Sequence, residues 1–247
     1  MYYFIFEKPA SKRLAEQTRQ VEDEVVSRGL AGEMVELTPA RNIDALLTDA
    51  HHKGYKTLVV VGGARLVNSV AARMLRYEMV LGIIPLGESP ALFTKIKCSD
   101  WKSAVVALQH RRWQYASLGR INDTGTFLTT CQIQLPSPSP ITITLPTYSV
   151  SVTTDKISVV TRATGARSTV ISIECTTAAA QKSWWSSVVG RGSRSSLSRF
   201  SADTAEITTT PSASVTVDQA VIGKTPAVFS IIPKALRLIV AKQVAHV

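Results

Sequence analysis

Apolar residues in the first hundred positions come in short unbroken runs, with stretches of helical period between them. Tyr2 to Phe6, Glu33 to Leu37, Thr57 to Val61 and Val80 to Ile84 read as strands. Between them, Ser11 precedes a helical pattern that places Leu14, Val21 and Val25 on one face and stops at Gly29. Asn42 opens a second, with Ile43, Leu46 and Leu47, that ends at Gly54, and a third runs from about Ala64 to Arg76. Continuous apolar strands alternating with helices predict a parallel sheet covered on both faces.

After a helix predicted over Asp100 to His110 the texture changes. Threonine, serine and valine dominate strand-like runs at Gln114 to Ile121, Phe127 to Leu135, Ile141 to Leu145, Tyr148 to Thr153, Lys156 to Arg162 and Thr169 to Cys175, with turn signals such as Asn122-Asp123 and Thr164-Gly165 between them. A helix-like stretch, Thr177 to Val189, carries Trp184 and Trp185 and leads into a Gly/Ser/Arg loop. Strands resume at Ala205 to Thr209, Ser214 to Val217, Ala227 to Ile232 and Leu236 to Val240. The expected division is an α/β domain over 1–112 and a mostly β domain over 113–247, whose terminal strand can return to the first.

Charge sharpens this picture. The chain of 247 residues carries a formal +10, of which +8 falls within residues 101–200. Such a field can attract anionic lipid headgroups or the phosphates of nucleic acid, although a plain solvated surface has the same composition. Nucleic acid is not expected as the partner, because no aromatic stacking cluster supplies specificity. Cys98, Cys131 and Cys175 lack metal or redox spacing and read as reduced core thiols, which predicts a cytoplasmic protein. His51 and His52 fall at a helix end, where they meet the dipole without needing a metal. The N-terminal MYYFIF is too short for a signal peptide or a span and reads as a first strand.

Four stretches, in order, carry chemistry. They are Lys8-Pro9-Ala10-Ser11-Lys12 after the first strand, VVVGGARLVNSV (59–70), LGIIPLGESPALF (81–93) and the C-terminal VTVDQAVIGKTPAVFSIIPKALRLIV (215–240). A strand ending on glycine where a helix begins aims backbone N–H groups and a positive helix end at a phosphate. Together the stretches resemble the diacylglycerol kinase catalytic family, which includes bacterial lipid kinases and sphingosine kinases. That family writes them as N-P-x-S-G, V-x-G-G-D-G-T-x-x-E-V, L-G-I-I-P-x-G-T-x-N-D-F-A and a D-G-E turn followed by P-x-x-L-x-V. The resemblance implies a Rossmann-like α/β nucleotide-binding domain joined to an antiparallel β-sandwich, as in NAD kinase and diacylglycerol kinase. It also implies ATP and Mg²⁺ as cofactors and a lipid hydroxyl as acceptor.

The departures fall where the chemistry would be. Ala64, Arg65, Leu66 and Ser69 stand for the family Asp, Gly, Thr and Glu of the first glycine loop. Glu88, Pro90 and Ala91 replace Thr, Asn and Asp of the second. Lys8 and Lys12 replace the Asn and Gly of the first-strand loop. Asp218 keeps the first position of D-G-E while Gln219 and Ala220 replace the others. No carboxylate precedes Thr169 in Gly165-Ala166-Arg167-Ser168, where the family sets its base.

Phosphoryl transfer needs a phosphate cradle, metal carboxylates and a group to orient the acceptor. With several of these missing together, the expected protein is a degenerate kinase, a binding or regulatory module. The candidate phosphate-binding residues are Gly62, Gly63, Arg65, Asn68, Gly87, Lys8, Ser11 and Lys12; Asp218 is the residual candidate for catalysis or metal. The alternative is an active ATP-dependent lipid kinase using Asp218 with replacement carboxylates such as Glu88 or Asp123. Trp184 and Trp185, with Arg191, Arg194 and Arg199, are a candidate patch for peripheral contact with an anionic membrane at the inner face. Oligomeric state is not readable from the chain.

Overall fold

The computed structural model describes all residues except 39–40, 124, 164–168, 178–195 and 243–247. The chain divides into two compact units, Met1–Leu118 with Pro233–Val247, and Gly119–Ile232. In chain order the elements are β1 (Tyr2–Phe6), α1 (Lys12–Ser27), β2 (Gly32–Glu36), α2 (Ile43–His52), β3 (Thr57–Gly62), α3 (Ala64–Met74), β4 (Val80–Pro85), α4 (Pro90–Ile96) and α5 (Trp101–His110). They are followed by β5 (Trp113–Ile121), β6 (Gly125–Phe127), β7 (Thr130–Thr144), β8 (Ser149–Ala163) and β9 (Thr169–Thr177). The remainder are β10 (Ser196–Ala202), β11 (Ala205–Thr209), β12 (Ser214–Val217), β13 (Ala220–Lys224) and β14 (Ala227–Ile239).

The first unit is a parallel sheet in the order β2-β1-β3-β4, extended by the end of β14, where Arg237 and Leu238 lie parallel to Val80 and Leu81. Strand alternation sorts its core. Tyr2, Phe4, Phe6, Val59 and Val61 pack with Val21 and Val25 of α1 and Val105 and Leu108 of α5. Tyr3, Ile5, Leu58 and Val60 point to the opposite face and are equally buried. Each such side chain contributes about 1.5–3 kcal/mol by leaving water. Helix starts follow their caps: Ser11 accepts from Leu14 N, Asn42 from Ala45 N, and Asp100 closes a capping box with Ser103. Helix α4 is the helix expected to begin after the second glycine loop; its seven residues behind Pro90 are too few to show a period, which left its bounds unread.

The second unit is antiparallel. Its ladder runs β10-β9-β8-β7-β11-β14, while β12 pairs with both β7 and β13. Its core gathers inward positions such as Ile133, Ile143, Ile157, Ile173, Ile207, Val215 and Phe229, together with Cys131 and Cys175. Three pairs of strands expected to be separate are continuous, in β7, β8 and β14. In β7 the register with β8 shifts between Gln134 and Ser139, so Pro136 and Pro138, which have no N–H to donate, fall in a bulge outside the ladder. Opposite the bulge, Thr154 keeps β8 unbroken, its hydroxyl donating to Thr176 O at 2.6 Å. Likewise β14 runs unbroken through Pro233 and through Lys234, whose φ of 50° bends the strand where the sequence suggested a gap.

Strand β13 also went unread. Val217 pairs with Ala220 across a two-residue turn in which Asp218 and Gln219 have φ of 49° and 69°, the positive values of a type I′ hairpin. Asp-Gly is the natural pair for such a turn, and with Gln in the second place its signal is hidden.

All three cysteines are free. Burial pushes the Cys131 thiol up to about 12 and Cys175 to about 11. His51 and His52 are exposed at the end of α2, and among the described residues no three His, Cys, Asp or Glu side chains gather as a metal site. Among these residues, too, no helix is long and apolar enough to cross a membrane.

Three outcomes are expected. Gln219→Gly relieves the left-handed backbone and raises stability by about 0.5–1 kcal/mol, read as a higher urea midpoint at unchanged slope. Phe229→Ala, emptying a fully buried site, costs about 3–5 kcal/mol in the same measurement. Iodoacetamide at pH 8 modifies half-buried Cys98 while Cys131 and Cys175 react only after denaturation, as intact mass will show, because their thiolates are disfavoured far above that pH.

Candidate phosphate site of the first unit

In an open parallel sheet, ligands bind outside the carboxyl ends of the strands where successive connections leave in opposite directions. Here β1 connects to β2 on one side and the chain then crosses to β3 on the other, so that point lies between β1 and β3. The segments emerging there are Glu7 to Ser11 after β1 and Gly63 after β3, with Leu86 to Ser89 following the adjacent β4. They are held together by Glu7 N donating to Val61 O at 2.9 Å and Leu86 N donating to Gly62 O at 3.0 Å.

Gly63 is the N-cap of α3, with no side-chain cap of its own and no acidic residue in the first turn. Its N–H nevertheless has a partner: Glu7 Oε2 accepts it at 2.6 Å. The same carboxylate fills the space above Gly62, where an added Cβ would lie 2.6 Å from Glu7 Oε2 and 2.8 Å from Glu7 Cβ. A carboxylate at a helix N-terminus satisfies an orphan donor and the positive end of the dipole at once. Glu7 thus stands where the sequence pattern led one to expect a ligand phosphate.

The second glycine loop is arranged in the same way. Gly87, at a φ of 67°, donates its N–H to Gln17 Oε1 of α1 at 3.2 Å. Ser89, N-cap of α4, makes no cap bond; its hydroxyl turns back to Leu86 O at 3.4 Å. Both glycine amides are therefore occupied by side chains of the protein itself.

The remaining candidates divide into structural and solvent-facing groups. Ser11 is the cap of α1. Asn68 is buried and donates from its amide to Ala64 O, one turn back in its own helix, at 3.1 Å. Lys8, Lys12 and Arg65 are exposed cations of the same unit, and Arg65 sits in the first turn of α3. Lys8 also lines a groove of about 590 Å³ with Leu37, Thr38, Asn42, Asp44 and Arg73, in which Arg73 is paired to Asp44 at 3.1 Å. Asp218 belongs to the second unit, at the first turn position of the β12–β13 hairpin, and is half-buried. Glu88 and Asp123 are exposed. Trp184, Trp185, Arg191, Arg194 and Gly165 to Ser168 lie outside the described residues, while Arg199 is on β10, paired with Glu174 at 3.0 Å.

Sequence reasoning passed over Glu7 and Gln17. A carboxylate directly after the first strand, beside glycine loops that carry no Asp, is the one signal that could have drawn attention to Glu7.

Residues 1–121 match the model of the diacylglycerol kinase catalytic domain. No curated protein matches the chain. Among solved structures, a candidate diacylglycerol kinase from Bacillus anthracis str. Sterne is 12% identical with a TM-score of 0.77, the match covering 98% of each chain. A diacylglycerol kinase structure from the same organism gives 12% identity and a TM-score of 0.74, over 99% of this chain and 98% of that one. At such identity the structures speak for the fold, an α/β unit with an antiparallel β-rich unit. The diacylglycerol kinase catalytic domain match thus falls on the first unit, and the structural likeness extends the shared fold over the whole chain.

Proposed function

We propose that this chain is a diacylglycerol kinase-family protein without phosphoryl transfer, serving as a binding or regulatory module. One observation carries the reading: the Glu7 carboxylate rests on the Gly63 amide and fills the space over Gly62. A nucleotide phosphate and its Mg²⁺ are what the family implies at this place, and the residues present do not fit them. Two anions cannot share one donor, and Ala64, Leu66, Ser69 and Ala91 offer neither a carboxylate for the metal nor, at Ala64 and Leu66, a side-chain donor for the phosphate. Losing a single electrostatic contact costs about 10²- to 10³-fold in rate, and here several are gone together.

What the crevice retains is cationic. A phosphate-bearing ligand, nucleotide or lipid phosphate, enters by displacing Glu7 and is met by Lys8, Lys12 and Arg65 without metal. Affinity is accordingly low in the native protein, because the ligand must replace a charge-assisted hydrogen bond worth about 1.5–3 kcal/mol.

Two measurements test this. Transfer of radiolabelled phosphate from ATP to mixed diacylglycerols and sphingoid bases is expected to stay at background; turnover that disappears in Asp218→Ala would establish an active kinase instead. In calorimetric titrations with ATP or tripolyphosphate in EDTA, Glu7→Ala is expected to bind about 10- to 100-fold more tightly than wild type, and Arg65→Glu to reverse that gain. Equal affinity of wild type and Glu7→Ala would remove the proposal's basis.

A further inference from the structure

Strand β5 begins at the surface of the first unit with Trp113 and Tyr115, two residues apart and therefore on one face of the strand. They are 45% and 56% exposed, among the largest apolar side chains that the structure leaves in water. Their rings meet edge to face, centroids 5.3 Å apart at 82°. Cations from β14 lie over them: Lys234 Nζ is 6.0 Å from the centre of the Tyr115 ring and Arg237 Cζ is 5.7 Å from that of Trp113. Arg237 is held in place by donating to Glu78 O at 2.7 Å, and exposed Arg112 immediately precedes Trp113. Alongside is a shallow cavity of about 290 Å³ lined by Tyr77, Glu78, Tyr115, Lys234 and Arg237.

We propose that this aromatic and cationic face docks the protein onto the surface of an anionic phospholipid bilayer. Indole and phenol rings are amphipathic and suit the headgroup boundary, and Lys and Arg beside them are drawn to negatively charged lipid. Charge argues against a second copy as the occupant. A two-fold contact would set Arg112, Lys234 and Arg237 against themselves, with Glu78 the acidic residue of the cavity. Ring geometry argues against single-stranded nucleic acid, since stacked bases need open parallel faces, whereas these rings stand edge to face with cations over them. The inference draws on no residue of the glycine crevice and holds whether or not phosphate is transferred.

The test is co-sedimentation of the full chain with vesicles of phosphatidylcholine alone or with 30% phosphatidylglycerol (about one lipid in three carrying a charge), at low and high salt. Binding is expected only with the anionic vesicles and is expected to weaken at high salt. Trp113→Ala with Tyr115→Ala should lower the partition coefficient about tenfold or more, and Lys234→Glu about tenfold, with circular dichroism unchanged since all three side chains are exposed. Equal binding to neutral and anionic vesicles, or wild-type binding by both variants, would overturn the proposal. So would a dimer in light scattering that Lys234→Glu dissolves, or a single-stranded oligonucleotide bound more tightly than the vesicles.

Discussion

A helix that begins at the end of a parallel strand points unpaired amides outward, and each needs an acceptor from water, a ligand or the protein. The first unit of this chain meets part of that demand from within. Glu7, supplied by the turn that follows β1, accepts from Gly63, and Gln17, supplied by α1, accepts from Gly87. The glycines are consequently not vestiges of an abandoned site. A side chain at Gly62 would force Glu7 aside, since its Cβ would fall 2.6 Å from Glu7 Oε2 and 2.8 Å from Glu7 Cβ. A glycine loop can thus be under physical constraint from an internal acceptor, since that acceptor also needs the room.

This arrangement alters what the loss of polar residues means. Ala64 and Leu66 alone would describe a weakened kinase. Here the amide beside Ala64 and Leu66 is already bonded to an internal carboxylate, an anion supplied at fixed geometry with no entropy of association.

Much of the fold was legible in the sequence because hydrophobic period and capping chemistry agreed. Ser11, Asn42 and Asp100 cap the helices they were expected to begin, and the unbroken runs such as Val59 to Val61 are strands buried on both faces. The misses came where one residue hid a regular feature. Prolines at 136 and 138 implied a break that a bulge absorbs, Pro233 and Lys234 implied another that a left-handed residue absorbs, and Gln219 concealed a type I′ turn. The candidate site was less readable. Its residues could be named from the family pattern, but which of them are engaged depends on Glu7 and Gln17, distant in sequence from the glycines they meet and without any motif of their own. Tyr115 fell inside an expected strand and Trp113 just before it; that both are exposed on one face of β5 is visible only in the structure.

The chain crosses from the first unit to the second at Gly119 and returns at Pro233, so the outermost parallel strand beside β4 is made last. During synthesis the amino-terminal half must therefore wait, its β4 edge bare, while more than a hundred intervening residues emerge. An exposed apolar edge is an invitation to pair with the wrong chain. Arg237 and Leu238 act as a clasp that closes this interval, so a chain halted within the β-rich half would carry that edge uncovered although its α/β sequence is already complete up to the clasp.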